Sequence, residues 1–381
     1  MDLFLIFLTG FLIHIIISME FNLISAIAPY LASFFNIKAS SVITLNLGFS
    51  IVGLLIPLLG TWADKYGKKK YIFTSLIFFV LGAFISGISH SPSLFAIGRT
   101  FIGIGYFSLN ASVISYISDF VPYEKRGKAS GILRIAFGLA LLTSPLYATF
   151  MIKSFDNLKG IYIPFAIVGI ICLFLLIKLP ESEKVNNEKI DSNDVLNILK
   201  DPVGLKLLII QFLTVTAPFT IYSYLGIWLS KDFSLNQLQI GYVYTAAACG
   251  TVLGITMSTF AADKIGKQKF TKIFYTIMIL ALSLMPYSKS LYLTIALIFT
   301  FAFGLDGGWT AYQAICTEIY PEKRTTFMTL LFFTNAMMIT LFTLIGPLLY
   351  NLGGYKLIAS IASVSSIVAL FLFFNVSKSL D

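Results

Sequence analysis

Long apolar runs separated by short polar breaks follow one another along the whole chain. Each run is long enough to cross a bilayer as a helix, which needs about 20 residues for about 30 Å of hydrocarbon. A barrel is not expected, because its strands would show short segments of alternating polarity. The pattern therefore predicts an all-α membrane protein. Its twelve transmembrane spans, numbered in chain order, are 3–34, 40–63, 71–89, 93–118, 127–151, 160–179, 204–229, 237–262, 270–287, 291–318, 325–350 and 355–376.

The longest polar stretch, PESEKVNNEKIDSNDVLNILKDP at 180–202, separates two sets of six spans. We predict an N-terminal six-helix half at 1–180, a cytoplasmic linker at 181–203 and a C-terminal six-helix half at 204–381. Apolar residues between positions 195 and 199 are spaced for one short amphipathic turn that lies on the membrane surface.

Composition and charge agree with a membrane protein. Hydrophobic residues make up 57% of the chain and charged residues only 12%, which is outside the range of soluble domains. Most of the 27 basic residues fall on the side that holds both termini, so the positive-inside rule predicts a multi-pass cell-membrane protein with both termini cytoplasmic. The net charge of +9 follows from this topology, and no nucleic-acid partner is expected. The opposite side receives only Lys38, Lys153, Lys159, Lys231, Lys289 and Lys356.

A charged segment occurs twice, as GTWADKYGKKKY at 60–71 and as FAADKIGKQKF at 260–270. Several residues recur at the same offset of 199 positions, which indicates an internal repeat of one six-helix unit. The matched pairs are Asp64 with Asp263, Asp119 with Glu318, and Pro122 with Pro321.

These segments resemble motifs of the major facilitator superfamily. The first copy resembles that family's G-x-x-x-D-(R/K)-x-G-(R/K)-(R/K) loop between its second and third helices, and RTFIGIG at 99–105 resembles its fourth-helix R-x-x-x-G-x-G motif. The segments DFVPYEKRG and EIYPEKR resemble those that close helices 4 and 10, and MEFNLISAIAP resembles an acid-before-proline pattern of antiporters, with Glu20 before Pro29. The whole chain is similar to the short twelve-helix bacterial efflux-type branch for drugs, sugars or purines.

The resemblance implies two pseudo-symmetric six-helix bundles around a central cavity, which move a small solute by alternating access. It also implies protons as the coupling ion, a monomer as the functional unit, and neither cofactor nor metal. In family members the repeated loop contacts the other half in one state and releases it in the other, and an ion pair to Asp119 would be one such contact. The alternative is that Lys68 to Lys70 only satisfy the positive-inside rule. The predicted hinge residues are Gly60, Asp64, Lys65, Gly67, Lys68, Asp119, Arg126, Asp263 and Gly266.

Ionisable residues inside the spans are few and are the candidates for proton coupling. A charge at the bilayer centre costs at least about 2.5–3.5 kcal/mol and persists mainly beside a cavity or a partner. The candidates are Glu20, Arg99, Asp306 and His14. Counting along the helices places Glu20 and Arg99 in the same half of the bilayer, where they could meet. Glu20 is then the coupling carboxylate and Arg99 the group that tunes it, or the two form a fixed structural bridge.

Candidate residues for the substrate cavity lie mainly in the C-terminal half. Asp306, Trp309 and Gln313 are spaced by three and four residues, so they present an acid, an indole and an amide on one helix face. Asn110, Tyr222 and Tyr224 complete the predicted set.

Other functions are weighed against transport. None of the Gly-Lys pairs at 67–68, 127–128 or 266–267 precedes Ser or Thr, so the sequence has no P-loop. Two histidines cannot supply a catalytic or metal cluster, and no enzyme activity is expected. Proton-coupled efflux is our prediction. Import of a small metabolite remains the alternative, because FGLALLTSPLYATF at 137–150 keeps only part of the antiporter pattern. A transport-inactive sensor or a lipid scramblase also remains open.

Overall fold

The computed structural model describes residues 3–55, 67–121, 126–181, 192–320 and 324–377. Within those ranges the chain forms α-helices and short 3-10 helices and contains no strand, as the apolar pattern predicts. The chain divides into two compact units: unit 1, Met1–Lys189, and unit 2, Ile190–Asp381.

The described part of unit 1 contains five long α-helices and two short ones. A 3-10 helix, Ala39–Asn46, precedes the third of them. The α-helices are α1 (Leu3–Leu23), α2 (Ala28–Phe34), α3 (Leu47–Gly53), α4 (Lys68–Ile88), α5 (Pro92–Asp119), α6 (Arg126–Phe155) and α7 (Leu158–Lys178).

The first predicted span is broken in the structure. Residues 24–27 form a turn between α1 and α2, whereas the sequence predicts one helix over 3–34. Pro29 explains the break, because it lacks an N–H group and its ring clashes with the carbonyl four residues earlier. The second span begins as a 3-10 helix, and its predicted end at residue 63 lies outside the described residues.

Unit 2 begins with a short helix of the predicted linker. A 3-10 turn, Met285–Tyr287, extends the fourth of its α-helices. These are α8 (Ser192–Lys200), α9 (Pro202–Asp232), α10 (Gln237–Ile265), α11 (Lys267–Leu284), α12 (Leu291–Ile319) and α13 (Arg324–Ser377).

The number of spans agrees with the prediction. Ten helices in the described part of the chain are long and apolar enough to cross a membrane, and the pair 28–34 and 39–53, bent by 101°, makes eleven when it is counted as one span. Helix α13 is 54 residues long and contains a non-helical residue, Gly354, at φ 60° and ψ −156°. This break divides α13 into the two predicted spans, which brings the total to twelve.

The two units repeat the same packing. In unit 1, α5 packs against α3 and α4, and in unit 2, α12 packs against α10 and α11. One close approach uses a glycine at the same place in each repeat. A Cβ at Gly105 would lie 2.6 Å from the Phe79 Cβ, and one at Gly304 would lie 2.6 Å from the Met278 backbone nitrogen. Because no side chain fits there, both helix pairs need glycine at that position.

A polar contact fixes the start of α9. Asp201 caps this helix by accepting a hydrogen bond from the Val203 N–H at 3.1 Å, and it also accepts one from the hydroxyl of Tyr320, which follows α12. The Tyr320 hydroxyl is the main cause that lowers the pKa of Asp201 from its ordinary value of 3.8. Burial, and then the Asp201 carboxylate, raise the pKa of Tyr320 above 10.0.

Candidate functional site

Glu20 of α1 and Arg99 of α5 form an ion pair in the interior of unit 1, with their side chains 0% and 1% exposed. The Arg99 Nη1 group donates to Glu20 Oε1, and Arg99 Nε donates to Asn46 Oδ1 at 2.7 Å. The guanidinium carbon lies 4.8 Å from the centroid of the Phe49 ring. Two polar contacts and one aromatic face therefore hold the arginine in a single orientation.

The two carboxylate oxygens of Glu20 differ in their hydrogen bonding. Glu20 Oε2 is buried and has no hydrogen-bond partner among the described residues. Buried polar atoms are nearly always hydrogen-bonded, so an exception needs an explanation. A proton added at Oε2 would break no hydrogen bond, because Arg99 is held by the other oxygen. The carboxylate therefore has one oxygen committed to the arginine and one available to a proton.

Aromatic rings border this pair. Phe21 stacks on Tyr106 with centroids 4.8 Å apart, and Tyr106 lies 5.5 Å from the Phe49 ring that contacts Arg99. An apolar wall lowers the local dielectric, which strengthens the attraction between the two charges and raises the cost of separating them.

A serine ties another helix to the turn of α1 that carries Glu20. The Ser144 hydroxyl donates to the Met19 carbonyl oxygen at 2.5 Å. Ser144 lies in α6 directly before Pro145, where the antiporter pattern has glycine. The residue that departs from the pattern thus makes a contact beside Glu20 that glycine could not make.

His14, the fourth candidate for proton coupling, lies away from the ion pair. It is six residues before Glu20 in α1, or about 9 Å along the helix axis. The ring is 5% exposed, and its Nδ1 atom has no hydrogen-bond partner in the described parts of the chain.

Asp306 and Trp309 of α12 contact different neighbouring helices of unit 2. Thr251 of α10 donates to Asp306 Oδ2 at 2.6 Å. The Trp309 indole donates to Gln211 Oε1 of α9 at 3.2 Å, and the Gln211 amide donates to Asn335 Oδ1 of α13 at 2.7 Å. The acid is therefore bound to α10, whereas the indole belongs to an amide chain that joins α9, α12 and α13.

The remaining cavity candidates are spread over unit 1 and unit 2. Tyr222 lies 6.2 Å from the ring of Tyr244, whereas Tyr224 is fully buried and stacks on Tyr350 with centroids 4.5 Å apart. Asn110 in α5 and Gln313 in α12 are half-buried. The neighbouring tyrosines of α9 thus contact different helices.

The comparison with known families decides what kind of protein carries these features. The sequence profile of the Major Facilitator Superfamily matches residues 10–228 and 207–380, which is nearly the whole chain. The chain belongs to the major facilitator superfamily. It is therefore a multi-pass membrane transporter, as the motifs and the twelve spans indicate.

Relatives in the superfamily align at low identity. Multidrug resistance protein 3 of Bacillus subtilis is 31% identical over 144 residues, 38% of this chain and 28% of that protein. The sialic acid transporter NanX of Escherichia coli is 26% identical over 218 residues, 55% of this chain and 52% of that protein. An uncharacterized transporter of Bacillus subtilis, YwfA, is 24% identical over 92% of this chain and 86% of its own length. The chain thus spans only part of the relatives whose names describe a solute or a resistance.

Solved structures share the fold along the whole chain. The nucleoside transporter NupG has a TM-score of 0.81 at 13% identity and covers 98% of this chain and 99% of its own. A D-xylose-proton symporter has a TM-score of 0.76 at 16% identity, with 97% of each chain covered. At these identities the comparison shows the superfamily fold and leaves the solute open.

The repeated loop of the superfamily ends in matching ion pairs. Lys68 of α4 pairs with Asp119 of α5, and Lys267 of α11 pairs with Glu318 of α12. Each pair lies inside its own unit and joins neighbouring helices of one repeat. The expectation that an ion pair to Asp119 contacts the other half is therefore wrong, because its partner Lys68 belongs to the same unit. Lys267 also contacts Asp263 at 3.1 Å.

A glycine with positive φ precedes each of these lysines. Gly67 and Gly266 both have φ 91°, a conformation that side chains rarely adopt, and each directly precedes a long helix. Gly60, Asp64 and Lys65 lie outside the described residues, as does the side chain of Arg126. Their role as a hinge stays a prediction.

Sequence reasoning missed several polar partners of the candidate residues. Asn46, Gln211, Thr251 and Asn335 each hydrogen-bond to a predicted residue or extend its network. An uncharged amide inside an apolar run is the signal that could have found three of them, because a bilayer-spanning helix places such a group where it needs a partner.

Proposed function

We propose that this transporter is a secondary active antiporter that exports a small organic solute in exchange for protons, by alternating access. The observation that carries the proposal is the buried pair of Glu20 and Arg99, in which one carboxylate oxygen contacts the arginine and the other has no described partner. Ionisable residues inside membrane spans commonly belong to proton or substrate pathways.

Glu20 takes up and releases a proton, and its contact with Arg99 sets how strongly it holds that proton. Burial disfavours the charged carboxylate, and the guanidinium favours it, so these influences act in opposite senses. A conformational change that separates Glu20 from Arg99 removes the effect of the guanidinium and leaves the effect of burial. The tightness with which Glu20 holds a proton then differs between the conformations, which is the requirement for coupling protonation to a conformational equilibrium.

Similarity to named relatives supports export of an organic solute. Alignments with multidrug resistance proteins 1, 2 and 3 of Bacillus subtilis cover between 38% and 66% of this chain. Asp306, Trp309 and Gln313 on α12 supply an acid, an indole and an amide, which together suit a solute with an apolar body and a polar group.

The test uses purified full-length protein in proteoliposomes with an imposed pH gradient. Counterflow of a cationic dye, a nucleoside, D-xylose and sialic acid identifies a transported solute, and the same solute is then followed under the gradient. Glu20→Gln mimics the protonated acid, so it should retain exchange of solute across the membrane and lose accumulation driven by the gradient.

Glu181→Gln is the matched control, because it makes the same chemical change at an exposed carboxylate. It should behave as the unsubstituted protein does. Gradient-driven transport by folded Glu20→Gln at the unsubstituted rate would refute the coupling role. If the solute instead moves in the same direction as the protons, the protein is an importer and the proposed export is wrong.

A further inference from the structure

Unit 2 contains a cavity at one end of its helices that belongs to none of the candidate sites. Its volume is about 760 Å³, which is within the range of sites for small molecules. Three connections form its walls: the end of α9 at 228–233, the turn after α11 at 286–289, and the break of α13 at 350–356. The positive φ of Gly354 turns the chain between the two halves of α13 and so forms one wall.

Three lysines line this cavity, which we call the lysine cavity. They are Lys231, Lys289 and Lys356, one from each wall, and Asp232 is the only acid among the described residues of the lining. None of these three lysines forms an ion pair with a carboxylate in the described residues. Ammonium groups gathered around one space repel one another unless an anion lies between them.

The sequence pattern strengthens this observation. Only six lysines are predicted on the face opposite the termini, and the lysine cavity holds three of them, Lys231, Lys289 and Lys356. The positive-inside rule disfavours basic residues on that face. Their concentration around one cavity therefore needs a reason other than topology.

Apolar surface adjoins the lysines. The Lys356 ammonium lies 5.7 Å from the centre of the Tyr287 ring. Tyr287, which lines the cavity, is 63% exposed, and Leu352 between two lining residues is 71% exposed. Tryptophan and tyrosine mark the membrane interface, where lipid headgroups lie.

We propose that the lysine cavity binds the phosphate headgroup of an anionic phospholipid, with its acyl chains beside Leu352 and Tyr287. A dissolved phosphate would contact the lysines alone, whereas Leu352 and Tyr287 are exposed apolar surface that acyl chains can cover. A phospholipid covers both, because its charged and apolar parts are joined. The bound headgroup contacts all three walls and so holds the ends of α9, α11 and α13 together.

The full chain is reconstituted in vesicles of phosphatidylcholine and phosphatidylglycerol and then extracted. Native mass spectrometry counts the phosphatidylglycerol molecules that it retains. The triple variant Lys231→Gln, Lys289→Gln, Lys356→Gln should bind phosphatidylglycerol about tenfold more weakly, since each lysine near an anionic lipid contributes and salt screens part of the effect. Binding of phosphatidylcholine should not change.

The chain offers a control of equal charge in unit 1. Lys38→Gln, Lys153→Gln, Lys159→Gln removes three exposed lysines of the same predicted face that do not line the cavity, and it should retain phosphatidylglycerol as the unsubstituted chain does. Asp232→Asn removes the one acid and should tighten binding, which tests the proposal even if the triple variant does not fold.

Two results would overturn the proposal. Equal losses from the two triple variants would assign the lipid to general surface charge. Binding of inorganic phosphate by an unsubstituted chain that retains no phosphatidylglycerol would assign the cavity to a dissolved anion.

Discussion

Lys68 Nζ lies 2.7 Å from both carboxylate oxygens of Asp119, and this bidentate pair joins α4 to α5. The side chains are only 8% and 14% exposed. Lys267 and Glu318 repeat the pair at the same offset of 199 residues, but the Glu318 side chain is 55% exposed. The same contact is thus formed in surroundings of different polarity.

Asp119→Asn should therefore destabilise the protein more than Glu318→Gln. Loss of a largely buried, charge-assisted hydrogen bond costs about 1.5–3 kcal/mol, whereas loss of an exposed pair costs about 0–1 kcal/mol. Thermal unfolding in detergent measures the difference. Adding Lys68→Met to Asp119→Asn should cost little more, because the contact is already lost. Equal shifts from the two single variants would contradict this expectation.

Arg99→Lys should impair transport although it keeps the charge. The guanidinium contacts Glu20 and Asn46 through different nitrogens, and an ammonium group is a point charge that does not reproduce this fork. We expect slower gradient-driven transport of the solute and fewer protons moved per solute, measured in the same proteoliposomes. Asn46→Ala should act in the same direction and more weakly. A transport rate in Arg99→Lys equal to that of the unsubstituted protein would show that a positive charge at this position is sufficient for coupling.

Asp306→Asn should change solute affinity or the dependence of that affinity on pH. Asparagine keeps the size of the side chain and an oxygen that accepts the Thr251 hydroxyl, so folding should be preserved while the charge is removed. Binding measured between pH 5 and pH 8 checks this expectation. Thr251→Val is the control, since it removes the hydrogen bond and keeps the charge. Affinity that is unchanged across this range would assign Asp306 to structure.

Asp201→Asn should lower thermal stability at neutral pH. The pKa of Asp201 is lower in the folded chain than its ordinary value of 3.8, so the folded state favours the charged form. This stabilisation is present above the ordinary value and is lost as the pH falls through the lower, folded value. The gap between the two unfolding temperatures should therefore be constant from pH 5 to pH 7 and close below about pH 4. A gap that persists in acid would exclude the charge as its cause.

The sequence predicts the spans because their physical cause is local. A run of apolar residues needs no knowledge of its neighbours to cross a bilayer, and Gly354 interrupts α13 where the apolar pattern predicts a break. The break after α1 also has a local cause. Pro29 lies near the end of the first apolar run, so the apolar pattern alone continues the span through it. Its effect on the residues before it appears only in the structure.

Side-chain partners depend on which helices are neighbours, and this is where sequence reasoning is weakest. Glu20 and Arg99 could be paired in advance because buried charges need opposite charges. Gln211 and Asn335 are neutral amides on helices that are distant in sequence, so nothing in either run identifies the other. Trp309 of α12 hydrogen-bonds to Gln211 of α9, and nothing in the sequence indicates that these two residues are neighbours.

The break at residues 24–27 places Glu20 in the last turn of α1, three residues before the helix ends. The backbone carbonyls of a final helical turn carry a partial negative charge equivalent to roughly half an electron. This charge attracts Arg99 whether or not Glu20 is ionised. When the carboxylate takes a proton, the arginine keeps Asn46 and the ring of Phe49 as partners. Neutralising Glu20 therefore does not leave a buried cation without compensation.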